Sequence, residues 1–174
     1  RCTGGTADSA QLVLAGWTTS ATQYIKIWTD PAESYRHNGT YQTGNKYRLE
    51  QTAQEATIYL AEDFVYIDGL QIYVNASTGG AERRGINLPN EAISSNARFY
   101  ITNCVIKASG SSSYDEKGIA AGYNGASTGI IITAVNNILF GFNTSRTGSN
   151  GLYLFTAAGV TITAYNNTAR GGGY

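Results

Sequence analysis

The densest group of acidic side chains has the clearest potential for chemistry. Glu62 and Asp63 directly precede an alternating apolar segment, and Asp68 follows on the predicted outer face of that segment. Carboxylates that converge within a few ångströms can bind Ca²⁺ or act as a general acid and base. A solvated turn beside a strand explains the same residues, and we favour it. The sequence therefore predicts no catalytic residue, no metal and no cofactor, with these three carboxylates as the alternative catalytic or calcium site.

Few other residues could bind a metal or take part in catalysis. His37 is the only histidine, so the sequence cannot assemble a cluster of His and Cys ligands for a metal. No Gly-Xaa-Ser-Xaa-Gly motif accompanies it, as the nucleophile elbow of an α/β-hydrolase requires. No carboxylate follows Glu116. The sequence favours a protein that is not an enzyme, without deciding the question.

Aromatic side chains offer a second kind of chemistry. The chain has 13 tyrosines and 2 tryptophans. Tyr66, Tyr73, Tyr100 and also Tyr59 occupy predicted outward strand positions, where their rings can stack on sugars or contact a neighbouring subunit. The alternative is ordinary strand propensity, because tyrosine suits exposed pleated surfaces.

Two cysteines, Cys2 and Cys104, are candidates for a disulfide. A bridge would join the N-terminus to a repeat and would place the protein outside the cytosol. In the alternative interpretation, Cys104 is a buried thiol that packs as a small apolar side chain. The sequence leaves both open.

Four Asn-Xaa-Ser/Thr motifs are candidate N-glycosylation sites. Their asparagines are Asn38, Asn75, Asn143 and Asn166.

Composition excludes several classes of partner. The 12 basic and 12 acidic residues give zero net charge, which provides no electrostatic basis for binding nucleic acid. Charged residues make up only 14% of a chain with 21 glycines, a composition typical of extracellular β-structure. No apolar segment approaches the length of a membrane span. The absence of methionine indicates a processed chain or part of a longer one.

These residues are positioned by a repeat. Glycines at 85, 118 and 151 are 33 residues apart, and each is followed by Ile or Leu. Residues 64–72 align with 98–106, and residues 129–137 align with 159–167. Each segment alternates apolar and polar residues, which is strand periodicity. A repeat of about 30 residues built from strands and turns indicates a β-solenoid.

Residues 56–170 resemble the right-handed parallel β-helix family, the pectate-lyase-like superfamily with its Val-Xaa-Ile-Xaa-Asn-Asn repeats. The resemblance implies an all-β fold, a right-handed parallel β-helix (β-solenoid) of about five irregular coils. It implies one domain over residues 1–174, with irregular first coils over 1–55 and regular repeats over 56–170. It does not select a function, because this fold carries lyases, hydrolases, phage spikes, adhesins and structural proteins.

Stacked coils predict two side-chain ladders. Tyr66 and Tyr100 should stack on the outer wall, about 4.8 Å apart. Asn103, Asn137 and Asn167 should form an inward ladder of side-chain amides at the turns. Loops rich in Gly, Ser, Asn and Thr are predicted at 75–84, 108–117 and 141–150.

The predicted function is based on the two ends of the solenoid. A solenoid exposes unpaired strands at each end, and the sequence contains no helix that would cap them. We therefore expect a non-catalytic extracellular structural protein, a self-associating filament or surface-layer subunit whose partner is a second copy. The alternative is a β-helix protein that binds or degrades polysaccharide, either a lyase or hydrolase or a protein like a phage spike.

Overall fold

The computed structural model describes residues 1–51, 55–75, 82–89, 93–109, 114–122, 128–142, 147–155 and 159–171. Parts of the three predicted loops lie outside these residues. The described residues form no helix, and their strands stack in three parallel sheets. The predicted all-β parallel β-helix is therefore confirmed.

The sixteen strands formed by the described residues are distributed over sheets A, B and C. Sheet A contains β1 (Ala7–Asp8), β4 (Arg48–Leu49), β7 (Gln71–Val74), β10 (Val105–Ala108), β13 (Ile138–Phe142) and β16 (Thr168–Gly171). Sheet B contains β2 (Leu12–Leu14), β5 (Ala56–Leu60), β8 (Arg83–Leu88), β11 (Glu116–Gly122) and β14 (Asn150–Phe155). Sheet C contains β3 (Ile25–Trp28), β6 (Phe64–Asp68), β9 (Arg98–Thr102), β12 (Ile130–Val135) and β15 (Val160–Tyr165).

From β2 onward the chain visits the sheets in the order B, C, A, and we call three such successive strands a rung. The first rung is β2–β4 and the last is β14–β16. Each strand pairs with its equivalents in the neighbouring rungs. Phe64 pairs with Arg98, and Ile130 pairs with Val160, so the repeats aligned in the sequence are aligned in space.

The core consists of inward columns that run along the solenoid axis. In sheet B, Ile58, Ile86 and Ile119 occupy one column, and each is completely buried. Because strand side chains alternate between two faces, every second residue of each strand reaches this core. The apolar residues of the alternating sequence pattern therefore form the core.

The glycines spaced by 33 residues form a column of their own in sheet B, where two neighbouring backbones approach closely. A Cβ on Gly85 would lie 2.6 Å from the carbonyl oxygen of Gly118 and 3.1 Å from Val74 Cγ2. A Cβ on Gly118 would overlap the carbonyl oxygen of Gly151 and lie 2.7 Å from Leu139 Cδ2. The repeated glycine is therefore a requirement for space between rungs.

Candidate functional site

The three carboxylates singled out in the sequence are held by different parts of the chain. Glu62 is buried, and its Oε1 accepts a hydrogen bond from the backbone N–H of Trp17 at 2.6 Å. Asp63 Oδ1 accepts the N–H of Ser94 at 2.7 Å. Within the described ranges, no group of three or more His, Cys, Asp or Glu side chains is arranged to hold a metal ion.

Asp68 lies in a network that satisfies its charge. Arg36 donates to both carboxylate oxygens, at 3.0 and 3.1 Å. Asn103 Nδ2 donates at 2.7 Å and Thr102 Oγ1 at 3.1 Å. Burial acts to raise the pKa of Asp68, but the hydrogen bonds from Arg36 and Asn103 and the charge of Arg36 outweigh it, so the pKa is lowered. The carboxylate is therefore held ionised beside a cation.

His37 is bonded through both ring nitrogens. Its Nε2 lies 2.8 Å from the carbonyl oxygen of Asn103, which can only accept, so Nε2 carries a proton and donates. Its Nδ1 accepts the backbone N–H of Gly39 at 3.1 Å. This arrangement requires the neutral ring. Burial, the largest effect, lowers the pKa of His37 from its ordinary value.

Arg36 and His37 belong to residues 29–47, which we call the strap because they lie across several rungs. Arg36 binds Asp68 on β6, and His37 binds Asn103 at the end of β9. Gly39 lies against Ile138, since a Cβ built on it would be 3.8 Å from Ile138 Cδ1. From the sequence, this segment is a polar loop with a lone histidine; its contacts across rungs carry no local sequence signal.

The strap also binds sheet A, through residues that follow Arg36 and His37. The side chain of Gln71 is completely buried beneath it. Gln71 Oε1 accepts the N–H of Gln42 at 2.6 Å, and Gln71 Nε2 donates to the carbonyl oxygens of Gln42 and Tyr47 at 3.2 and 3.1 Å. The strap therefore covers part of the outer face of sheet A.

The asparagine ladder differs from the prediction by one residue at Asn103. Asn137 accepts the N–H of Cys104 at 2.9 Å, and Asn167 accepts the N–H of Asn137 at 3.0 Å. Asn103 instead occupies the preceding corner position with a φ of 54°, equivalent to Asn136 with a φ of 57°. Asparagine tolerates this left-handed conformation. The ladder position in the rung of Asn103 is filled by Cys104, so placing Asn103 in the ladder was wrong.

The stack of Tyr66 on Tyr100 is confirmed. Their ring centroids are 4.4 Å apart with planes inclined by 12°, and Tyr24 extends the stack with a centroid 4.5 Å from that of Tyr66. Both faces of Tyr66 are therefore covered by rings. The next register partner of Tyr100 is Thr133, which is too small to cover the remaining face of Tyr100. At that end of the ladder a sugar ring can stack on Tyr100.

Tyr73 and Tyr59 lie elsewhere on the surface. Tyr73 on sheet A packs near Tyr41, with centroids 6.3 Å apart, and Lys107 Nζ lies 5.7 Å from its ring centroid. Tyr59 on sheet B is partly buried. The outward tyrosines therefore do not form one continuous surface.

Both cysteines are free thiols. Cys104 is completely buried and its Sγ lies 3.2 Å from the carbonyl oxygen of Thr102. Burial raises the pKa of Cys104 to about 12. Cys2 is partly buried, and its backbone N–H donates to the carbonyl oxygen of Trp28 at 2.7 Å.

The glycosylation candidates differ in accessibility. Asn38 is exposed on the strap, where its Oδ1 accepts a hydrogen bond from Thr40 Oγ1 at 2.8 Å. Asn166 is exposed at a corner with a φ of 52°, and Asn75 is partly buried. Asn143 lies outside the described residues.

Apolar side chains of the last rung are less buried than their register partners in the preceding rung. Ile132 and Leu139, in the preceding rung, are completely buried. Ile162, which pairs with Ile132, is only partly buried, and Ala169, which pairs with Leu139, is exposed. Across the described part of the chain, no strand pairs with the outer edges of β14, β15 and β16.

The first rung is covered along sheet A, whereas the outer edges of β2 and β3 pair with no strand among the described residues. Strand β1 pairs with the outer edge of β4, and Cys2 bonds to the end of β3. Large exposed apolar side chains occur, among the described residues, only in or beside these two terminal rungs; they are Val13, Trp17, Tyr24, Tyr153 and Tyr165.

None of the described residues form a helix long and apolar enough to cross a membrane. No protein-family model, no curated protein and no solved structure matches the chain significantly.

Proposed function

We propose that this protein is a non-catalytic extracellular structural protein, a subunit of a filament or surface layer, that associates with a second copy through its last rung. The observation that carries this proposal is the contrast between Ile132 and Ile162. They are register partners on adjacent rungs, yet Ile132 is completely buried and Ile162 is not. Burying such apolar surface stabilises an association by about 25 cal/mol per Å².

The backbone groups at the outer edge of the last rung, with which no described strand pairs, support the same proposal. Along the ladder, each asparagine side chain accepts the N–H of the equivalent residue one rung earlier. The N–H of Asn167 continues this series at the open edge, beside the free edge of β15. Strand edges of this kind readily pair with another chain.

A second last rung is the partner that fits this edge. The outer edge of β4 in the first rung is already occupied by β1, which obstructs a head-to-tail contact on sheet A. A two-fold axis through Ile162 instead pairs β15 with itself in antiparallel fashion. Ile162 then lies opposite its own copy, and Val160 lies opposite the smaller Ala164. Contacts of this isologous kind are the commonest in homo-oligomers, and they close into a dimer, so a filament or layer is built from such dimers through a second contact.

Zero net charge is compatible with association, because it removes the electrostatic repulsion that keeps many soluble proteins apart. The carboxylates that catalysis would require are engaged in hydrogen bonds and an ion pair with other parts of the fold.

Light scattering after size-exclusion chromatography, with electron microscopy of the same fractions, tests the proposal. We expect dimers or larger assemblies at micromolar concentration, with solenoids joined end to end. A protein that stays monomeric, or copies joined side by side, would contradict it.

The alternative function, binding or degradation of polysaccharide, is favoured by one observation. Among the described residues no other ring covers the face of Tyr100 that adjoins Thr133, and the hydroxyls of Thr133 and Thr163 follow it along the same outward column. An aromatic face beside hydroxyl groups suits a pyranose ring. Calorimetry with acidic and neutral polysaccharides, with and without Ca²⁺, tests this function. Binding that is lost in Tyr100→Ala and retained in Tyr59→Ala would support it, whereas no heat of binding would exclude it for those polysaccharides.

A further inference from the structure

The strap is attached to the solenoid by side chains that belong to different rungs. Arg36 reaches Asp68 on β6, and His37 reaches Asn103 one rung further along the axis. We propose that the strap is a pH-sensitive latch, in which protonation of His37 releases residues 37–42 of the strap from the corner between sheets C and A, while Arg36 stays bound to Asp68.

The hydrogen bonds of His37 to Asn103 and Gly39 depend on the charge of its imidazole ring. The neutral ring donates from Nε2 to Asn103 and accepts at Nδ1 from Gly39 N–H. Protonation places a hydrogen on Nδ1, so that two donors face each other at 3.1 Å. The turn formed by His37 and Gly39, which rests against Ile138, then loses the bond that closes it.

The charges that surround His37 act in both directions. Arg36 and Lys46 lie on the strap itself, and Asp68 lies on β6. Burial lowers the pKa of His37 most strongly, with further lowering by Arg36 and Lys46, whereas the Asn103 carbonyl and Asp68 oppose the change. The ring is therefore neutral at neutral pH and gains its proton below its ordinary pKa of 6.5.

Release of the strap would uncover part of the outer face of sheet A. Gln71 and Val105 are completely buried there; Gln71 pairs with Val105, which pairs with Ile138 in the following rung. In the closed form, Gln42 and Tyr47 satisfy the amide of Gln71. Opening therefore changes the surface that the protein presents, while the core columns stay in place.

Hydrogen–deuterium exchange followed by mass spectrometry tests the latch. Exchange in peptides covering residues 31–46 is compared at about pH 7.5 and about pH 5, after correction for the intrinsic exchange rate. We expect exchange in the strap to be about tenfold faster at the lower pH, with exchange in β9 unchanged. In His37→Gln, which cannot titrate, the two pH values should give the same strap exchange.

Two outcomes would overturn the proposal: strap exchange in the natural chain that does not depend on pH, or the same acceleration in His37→Gln. Asp68 is not responsible for a change at about pH 5, because its pKa lies below 3.8. If His37→Gln does not fold, which hydrogen exchange in β9 would reveal, NMR of the natural chain tests the proposal instead. The amide resonance of Gly39 must then shift with the titration of His37, at a midpoint below 6.5.

Discussion

Arg36 donates two hydrogen bonds to the carboxylate of Asp68, which lies 32 residues further along the chain. The guanidinium also lies over the backbone of Gly69, where any Cβ would overlap it. Asp68, one of the three carboxylates considered as a catalytic or calcium site, therefore attaches the strap to the solenoid.

This ion pair predicts a specific pH dependence of stability. The pKa of Asp68 is lower in the folded protein than its ordinary value of 3.8. Its contribution to the free energy of unfolding is therefore fully present above the unfolded pKa and is lost as the pH falls through the folded pKa. Denaturation with urea between about pH 6 and pH 2 should show a smaller acid-induced loss in Asp68→Asn than in the natural chain.

The matched control is Asp63→Asn, because the Asp63 carboxylate accepts a backbone N–H and, in the described structure, forms no ion pair with an arginine side chain. Equal acid-induced losses in the natural chain and in Asp68→Asn would show that the ion pair does not stabilise the fold.

The glycine column predicts unequal effects of two alanine substitutions. A Cβ at Gly118 would overlap the carbonyl oxygen of Gly151 and would also lie 3.0 Å from Phe142 Cζ. At Gly151 the nearest atom would be Leu139 Cβ at 3.1 Å. Gly118→Ala should lower the free energy of unfolding by about 1–3 kcal/mol, and Gly151→Ala by less. Urea denaturation measures the free energy of unfolding of both variants. A larger loss for Gly151→Ala would contradict the explanation that the space available to a Cβ determines the loss.

The columns of the solenoid could be predicted because they follow from strand periodicity and a constant repeat length. Tyr66 and Tyr100 are outward residues at an offset of 34, and this offset is the register of β6 and β9. The strap could not be predicted, because Arg36 and His37 contact residues 32 and 66 positions away through polar groups without a repeat.

The misplaced Asn103 has a similar physical reason. In two rungs a pair of asparagines fills the corner and the ladder, as with Asn136 and Asn137. In the rung of Asn103 only the corner is asparagine, and Cys104 follows it. Residue type alone therefore does not distinguish a backbone requirement for positive φ from a side-chain ladder.

The ladder predicts that adjacent asparagines differ sharply in importance. Asn137 is completely buried, donates to the Ile101 carbonyl oxygen at 2.9 Å and accepts the N–H of Cys104. Asn137→Ala should cost about 1–3 kcal/mol for each buried group that loses its partner. Asn136→Gly should change stability by less than about 0.5 kcal/mol, because Asn136 is exposed and glycine adopts its positive φ readily. Thermal and urea denaturation measure both variants, and equal losses would contradict the ladder.

The tyrosine stack predicts an energetic coupling between rungs. A double-mutant cycle with Tyr66→Ala and Tyr100→Ala should give an interaction energy of about 0.5–1.5 kcal/mol, because the rings stack at 4.4 Å. The same cycle with Tyr59→Ala in place of Tyr100→Ala is the control, since Tyr59 belongs to sheet B. If both cycles give the same interaction energy, the stack contributes nothing beyond the burial of each ring.

The most direct test of end-to-end association compares two neighbouring residues of β15 by analytical ultracentrifugation. Ile162 faces the open interior of the last rung, whereas Thr163 faces outward on the same strand. We predict that the natural chain and Thr163→Asp associate at micromolar concentration and that Ile162→Asp is a folded monomer, because a charge in the joined interior cannot be solvated. Association that persists unchanged in Ile162→Asp, or a natural chain that is monomeric, would contradict the account.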